Sequence, residues 1–356
     1  MRTKLSKQSL NKALEVLNKV VDRRSVLPQL TWLKVASSNG YSTLQGADLE
    51  KYLTMRVPSI TEESGEVCVT MKEFVKLVKG KEKEVLLWTE NEKLVVQTGS
   101  VKSRLSLGCV EKFPEFPVPT YEAVFPTKLL REAIEKVGFA MPNKDNDMDY
   151  LRRVLMDGEG SCVNFVASDG YRLAFMRVEV PFDMKLEFPQ SGLKVLLELL
   201  KREKGDEVKL GKSENFVFIA GTDWETALRV FEREYPDYKA VVPNEFRIRV
   251  LVDVKELDRA LENFSHLETV LFHIGEGLKL RAEWSEYGEE NEIEVEVPAT
   301  VEGEGLVIAF NPKFIKQFTE INEGTVEMLF VGDEEYPVML KLSEDYFYLV
   351  MPKRLR

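Results

Sequence analysis

Phe113-Pro-Glu-Phe116 and Tyr235-Pro-Asp-Tyr238 write one phrase twice, 122 positions apart: aromatic, proline, acid, aromatic. Four loosely defined positions recur easily by chance, so the reading depends on whether the surrounding sequence agrees. An amphipathic helix opens each third of the chain. SLNKALEVL sets Leu10, Ala13, Leu14 and Leu17 on one face. LLREAIEKV does the same with Leu130, Ala133, Ile134 and Val137, and ELDRALENF with Leu257, Ala260, Leu261 and Phe264, at offsets of 120 and 127 residues. A second helix follows in each third, marked by Phe74/Val78, Leu196/Leu200 and Phe314/Phe318. It leads into paired strands, EVLLWTENEKLVVQTG, EVKLGKSENFVFIAG and TVEMLFVGDEEYPVMLKL. Between the two helices lie further strands, such as YSTLQGADLE, CVNFVASDGYRLAFMRV and GLKLRAEW.

The order helix, strands, helix, strands therefore occurs three times. The expected fold class is α+β, with three tandem similar domains at 1–120, 121–245 and 246–356 and linkers at 118–124 and 240–250. FPEF and YPDY read as closing phrases in which proline stops the last strand. A 356-residue chain with 44% apolar and 31% charged residues is expected to be soluble and globular. No apolar run approaches the roughly 18 residues that span a bilayer. MRTKLSKQSLNK lacks the apolar stretch of a signal peptide, so a cytoplasmic location is expected.

Little in the chain points to catalysis. Cys68, Cys109 and Cys162 form no CxxC pair, which excludes a zinc ribbon or a disulfide framework. A catalytic triad or a histidine-rich metal site would have to use His266 or His273, and neither has suggestive neighbours. GxxxxGK[ST] is missing, as is the third glycine of a dinucleotide fingerprint beside GEG at 303–305. The acidic DNDMD at 145–149 lacks the glycine and terminal glutamate of a calcium loop. By subtraction, no enzyme, no metal and no cofactor are expected.

The net charge of −11 argues at first against nucleic acid. Its distribution argues the other way. At 100° per residue, the sides opposite the apolar stripes carry Lys12, Lys19, Arg23, Lys72, Lys76, Lys79, Lys128, Lys194, Lys201, Lys255, Arg259 and Lys316. Against these stand Glu15, Glu132, Glu135, Glu198 and Glu262. The expected helical spans (4–24, 71–81, 127–144, 191–205, 252–266 and 311–323) carry +9, which leaves −20 for the rest. Basic helices within an acidic protein suit a surface facing a polyanion, because attraction to phosphate is independent of sequence.

Ordered motifs then match a known family. LPQLTWLKV with GADLE, YLRRVLMDGEG leading to VASDGYRLA, and the C-terminal YLVMPKRL make the whole chain resemble the bacterial sliding clamp, the beta subunit of DNA polymerase III. That resemblance implies a head-to-tail ring of two chains, with helices lining the hole and antiparallel sheets outside. The ring would encircle double-stranded DNA and tether the polymerase by topology. Implied partners are the DNA polymerase III catalytic subunit, the clamp loader delta subunit, and other polymerases and repair proteins carrying short apolar peptide motifs. The resemblance places a peptide-binding groove at Leu151, Ser168, Gly170, Tyr171, Arg172, Leu173, Pro236 and Val241. The third domain would add Asn311, Phe314, Pro337, Leu349, Met351, Pro352, Arg354 and Leu355. It also puts Arg24 and Tyr150 on the DNA-facing side with the helix lysines. The dimer seam falls near VKSRLSL (101–107), with Leu105 and Leu107, against the first-helix region of domain three. Tyr171, Ser168 and Ala240 depart from the common family residues His, Thr and Arg, and the chain runs one residue past the usual terminal leucine, to Arg356. A repeat-built scaffold that binds proteins without encircling DNA remains the alternative. A two-chain ring would run at about twice the 40.9 kDa chain mass.

Overall fold

Each of the three repeats opens with a short strand that hands over directly to an amphipathic helix. The structure, a computed structural model, describes residues 1–79, 82–142, 148–286 and 289–354. In the first repeat β1 (Arg2–Ser6) enters α1 (Lys7–Leu17), followed by β2 (Trp32–Ser38), β3 (Tyr41–Ala47), β4 (Lys51–Glu63) and β5 (Gly65–Thr70). Then come α2 (Met71–Leu77), β6 (Glu84–Glu90), β7 (Lys93–Thr98) and β8 (Val101–Ser106). The second repeat runs β9 (Ala123–Pro126), α3 (Thr127–Gly138), β10 (Arg153–Gly158), β11 (Val163–Ser168), β12 (Arg172–Val178) and β13 (Lys185–Pro189). It finishes with α4 (Gln190–Arg202), β14 (Glu207–Lys212), β15 (Phe216–Ala220) and β16 (Trp224–Arg229). The third runs β17 (Ile248–Asp253), α5 (Val254–Glu262), β18 (Val270–Ile274), β19 (Leu278–Glu286), β20 (Glu289–Val297) and β21 (Ala299–Glu302). It closes with β22 (Leu306–Phe310), α6 (Pro312–Thr319), β23 (Thr325–Phe330), β24 (Val338–Ser343) and β25 (Tyr346–Val350).

The helices form where apolar residues recur every three or four positions, and those stripes are buried. Leu10, Ala13, Leu14 and Leu17 of α1 are at most 3% exposed, and Leu130, Ala133, Ile134 and Val137 of α3 are fully buried. Each buried leucine side chain contributes roughly 1.5–3 kcal/mol relative to exposure. Asp253 caps α5, its carboxylate accepting from the amides of Lys255 and Glu256, which satisfies donors the first turn leaves unpaired. Asn311 caps α6 with Pro312 in the first turn.

Every helix is shorter than its expected span. The opening strands β1, β9 and β17 were not expected at all. β9 and β17 occupy the ends of the segments read as linkers, where β9 pairs with β14 and β17 with β21 and β23. Nor do the prolines of FPEF and YPDY stop a strand. β8 ends at Ser106 and β16 at Arg229, and both phrases follow in irregular chain, YPDY running into a 3-10 turn at Tyr238–Val241.

The chain divides into two compact units, Met1–Arg131 with Leu186–Glu232, and Glu132–Lys185 with Arg233–Arg356. The middle repeat is shared between them. In unit 1 a 12-stranded sheet runs β8-β7-β6-β1-β4-β16-β15-β14-β9, with β3, β2 and β5 branching from β4. The join between repeats is the antiparallel β4–β16 pair, Met55 opposite Trp224 and Lys51 opposite Leu228. In unit 2 the strands run β10-β11-β12-β25-β24-β23-β17-β21, and here the join is β12–β25, Arg172 opposite Val350. A separate four-stranded sheet, β20-β19-β18-β22, completes unit 2. Among the described residues no helix is long and apolar enough to cross a membrane.

Candidate functional site

The turn between β11 and β12 is built by one side chain. Asp169 Oδ1 accepts from the amides of Tyr171 (3.0 Å) and Arg172 (3.1 Å), while Gly170 takes φ +86°, which a residue with a Cβ rarely adopts. Asp169 Oδ2 also accepts from Arg172 Nε at 2.9 Å, and both side chains are buried. The guanidinium is held from every side. It donates to the Phe139 carbonyl (3.2 Å) and to Gln317, and it lies 4.5 Å from the centroid of the Phe314 ring. A buried charge with this many partners fixes the start of β12 in one position.

Beside this turn lies an apolar cavity of about 260 Å³. Its walls are Leu151, Leu173, Pro236, Val241, Pro337, Leu349 and Met351, with Ser168, Gly170, Tyr171 and Arg172 along one edge. Tyr171, Val241 and Met351 are 56%, 55% and 39% exposed, so large apolar groups stand open to water around one depression. Such clustering on a folded protein marks a contact surface. Beneath it Leu155, Val166 and Phe175 form a buried apolar floor with Tyr235 and Tyr238. Tyr238 Oη donates to Asp157 Oδ2 and accepts from Asn164 Nδ2, each at 3.1 Å, which keeps its ring against the floor. Lys239 pairs with Glu159 and ties the turn carrying Val241 to the β10–β11 connection. The Lys239 hydrogen bond holds the Glu159 carboxyl below its ordinary range.

Eleven of the expected groove residues thus line one cavity. Asn311, Phe314, Pro352 and Arg354 do not. Asn311 is spent as the α6 cap and Phe314 lies behind Arg172. Arg354 is exposed and paired with Glu335 at 3.6 Å. Leu355 lies outside the described residues. Tyr150, expected to face DNA, lines the cavity too, with the Arg233 guanidinium 3.9 Å from its ring centroid. Tyr235, Asp237 and Tyr238, the neighbours of Pro236 in YPDY, line it too, as does Met148, which was not foreseen. Pro236 had already placed YPDY at the groove, and the other three residues of the phrase fall beside it.

In unit 1, α1 and α4 lie side by side. Lys19 Nζ meets Glu198 Oε2 at 3.2 Å, and Arg202 reaches Glu15 (3.0 Å) and the Lys12 carbonyl (2.9 Å). Lys12, Lys19, Arg24, Lys72, Lys76, Lys79, Lys128, Lys194 and Lys201 are all exposed. Of these, Lys19 pairs with Glu198 and Lys76 with Glu73 (2.9 Å), and among the described residues the other seven have no ion pair. The third repeat differs. Lys316 is only 20% exposed and is shared by Asp258 (3.3 Å) and Glu262 (3.7 Å), while Arg259 pairs with Glu256 (2.6 Å). Unneutralised positive charge therefore gathers on the helices of the first two repeats. Leu105 and Leu107 are half-buried, Leu105 on β8, the edge strand that ends the unit 1 sheet.

Three like repeats, basic helix faces and an open apolar groove define a repeat-built docking protein of the DNA clamp fold. Family models of the DNA polymerase III beta subunit match in order and almost end to end. The N-terminal domain matches residues 1–118, the central domain 124–237 and the C-terminal domain 239–354. The chain belongs to the DNA polymerase III beta subunit family. It is 27% identical to the beta sliding clamp of Pseudomonas aeruginosa and 25% identical to that of Escherichia coli, with all of each chain covered. The crystal structure of the beta subunit from Thermotoga maritima, 30% identical, superposes over the full length of both chains with a TM-score of 0.88. A Pseudomonas aeruginosa clamp bound to griselimycin, 25% identical, gives 0.91 over the same coverage.

Proposed function

We propose that the chain is a sliding clamp, a processivity factor that two copies form by closing head to tail around duplex DNA. The observation that carries this reading is the unbroken, in-order match of three clamp-domain models across one chain. The exposed lysines of α1, α2, α3 and α4 would face the phosphates without reading sequence, and the groove of unit 2 would hold short apolar peptide segments of the polymerase catalytic subunit, the clamp loader delta subunit and other replication and repair proteins. The groove suits several partners, because methionine and aromatic walls repack around different apolar side chains. The work is mechanical rather than catalytic. Opening the ring falls to a separate ATP-driven loader, because the chain has no phosphate-binding loop. A cytoplasmic setting fits this role.

Topology and affinity are separable by experiment. Binding through ion pairs weakens as salt rises, with a slope set by the number of phosphates neutralised. A closed ring on a circle has no exit. Labelled protein loaded on nicked circular DNA is expected to stay through gel filtration in moderately high salt and to leave once one restriction cut makes the DNA linear. Retention that ignores the cut would leave ordinary binding as the explanation and favour the scaffold that never encircles DNA.

A further inference from the structure

The turn that frames the groove has a twin in unit 1, 121 residues earlier. Asp48 Oδ1 accepts from the amides of Glu50 (3.2 Å) and Lys51 (2.9 Å), as Asp169 does from Tyr171 and Arg172. The carboxylate then pairs with the buried Lys51 ammonium, as Asp169 pairs with Arg172. The Asp48 amide donates to the Lys51 carbonyl at 3.1 Å and the Asp169 amide to the Arg172 carbonyl at 3.3 Å. Leu49 takes φ +77° where Gly170 takes +86°. The strand paired alongside agrees as well. The Arg229 amide donates to the Glu50 carbonyl at 2.8 Å, and the Met351 amide to the Tyr171 carbonyl at 2.8 Å. Ala227 stands opposite Tyr52 as Leu349 stands opposite Leu173. FPEF occupies the place of YPDY.

Unit 1 therefore repeats the turn and the strand pair that frame the groove, with different contents. Tyr52 replaces Leu173 and Phe116 replaces Tyr238. Phe216 replaces Pro337, each standing one residue before the strand position that faces Leu228 or Val350. Tyr238 is kept against the floor by Asp157 and Asn164. Those two sites, near each other across β10 and β11, correspond to Ala36 and Thr43 across β2 and β3. Phe116 has no hydroxyl for such an anchor, and its ring meets Tyr52 edge-on at 6.1 Å. Phe216 meets the same tyrosine edge-on at 5.7 Å. We propose that Tyr52, wedged between Phe116 and Phe216, stoppers this first copy of the groove, so that each chain offers one docking site and not two. What the open groove binds rests on the function proposed above; the closure of its twin does not.

Crystals of the wild type and of the Tyr52→Leu/Phe216→Ala double variant, soaked in aqueous isopropanol, test the stopper without any protein partner. The expected result is isopropanol against Leu173 and Leu349 in both crystals, and beside position 52 only in the variant. Isopropanol seated beside Tyr52 in the wild type would mean that the twin is already open. A folded variant with no isopropanol there would mean that other residues fill the space. Either overturns the proposal. Tyr52→Leu alone, which copies the residue of the open groove, gives the same reading if the double variant does not fold. An empty Leu173 site in both crystals would count against the docking groove, while occupancy at position 52 would still decide whether the twin is stoppered.

Discussion

At the scale of the residue, the paired turns make opposite predictions. Leu49 sits in the left-handed region with half its surface exposed, a conformation that costs a residue with a Cβ about 1–2 kcal/mol. Glycine removes that cost and returns roughly 0.5–1 kcal/mol through its freer unfolded chain. Leu49→Gly should therefore stabilise by up to about 1 kcal/mol, visible as a Tm rise of roughly 1–4 °C. Gly170→Ala should lose about 1–2 kcal/mol, because φ is +86° and the new Cβ would come within 2.7 Å of Met148 Sδ. The same change should weaken any ligand of the groove, read by calorimetry on protein shown to be folded. The chemistry of the Asp169-Gly170 turn is local, an aspartate bonding amides two and three residues on and a glycine taking positive φ, and such an Asp-Gly pair is visible in a sequence. Met148 was not legible as a groove residue, and neither was the way Tyr238 is held in place. Tyr238 reaches its place through Asp157 and Asn164, 81 and 74 positions away, and no short motif records such a contact.

At the scale of the element, the helices and the hairpins read clearly because each carries its own period. The strands β1, β9 and β17 did not, since each of these 4–6-residue strands runs straight into a helix and was absorbed into the expected helical span or linker beside it. β8 was named from family likeness and proves to be an edge strand, which exposes unpaired backbone groups. If two chains join there, Leu105→Asp or Leu107→Asp should shift dimer toward monomer in dilute sedimentation, and unchanged mass for both would move the seam elsewhere. The tie between Lys239 and Glu159 carries a pH signature. The Glu159 carboxyl is held below its ordinary value of 4.5 by Lys239. Its contribution is thus complete above that value and is lost as pH falls through the lower folded one. Amide exchange at Val242, whose N–H donates to the Lys239 carbonyl, should speed up relative to the rest of unit 2 in that acid window. Uniform protection would show that the tie does not hold the Val241 wall.

At the scale of the whole molecule, three repeats and the split of basic helices from acidic strands were legible, because both survive averaging over many residues. The sharing of sheets was not. β4 and β16 pair across some 170 residues, and no local pattern announces the partner. Charge reversal at Lys12, Lys76 and Lys201 to Glu should reduce DNA contact most at low salt, where screening is weakest, and leave groove binding unchanged. Loading and retention like the wild type would remove the basic helix faces from the mechanism. Heat should be tolerated as well. The chain has six glutamines, and β19 and β20 are laced by Lys279–Glu296 (2.7 Å) and Arg281–Glu292 (2.9 Å). Such networks gain value as temperature rises. A melting midpoint below about 60 °C, inside the mesophile range, would contradict that expectation.

The β4–β16 join also has a consequence for synthesis. Chains leave the ribosome at about 5–20 residues per second, so β4 waits on the order of 10–30 seconds for the strand that will cover its edge. For that interval the first repeat is a nascent domain with a bare, ladder-ready flank, the kind of surface that pairs with neighbouring nascent chains on a polysome. Ribosome-arrested chains ending near residue 180 should therefore be cut by protease along β4, and chains extended past residue 260 should not. Equal protection at both lengths would show that the flank is shielded by something other than β16.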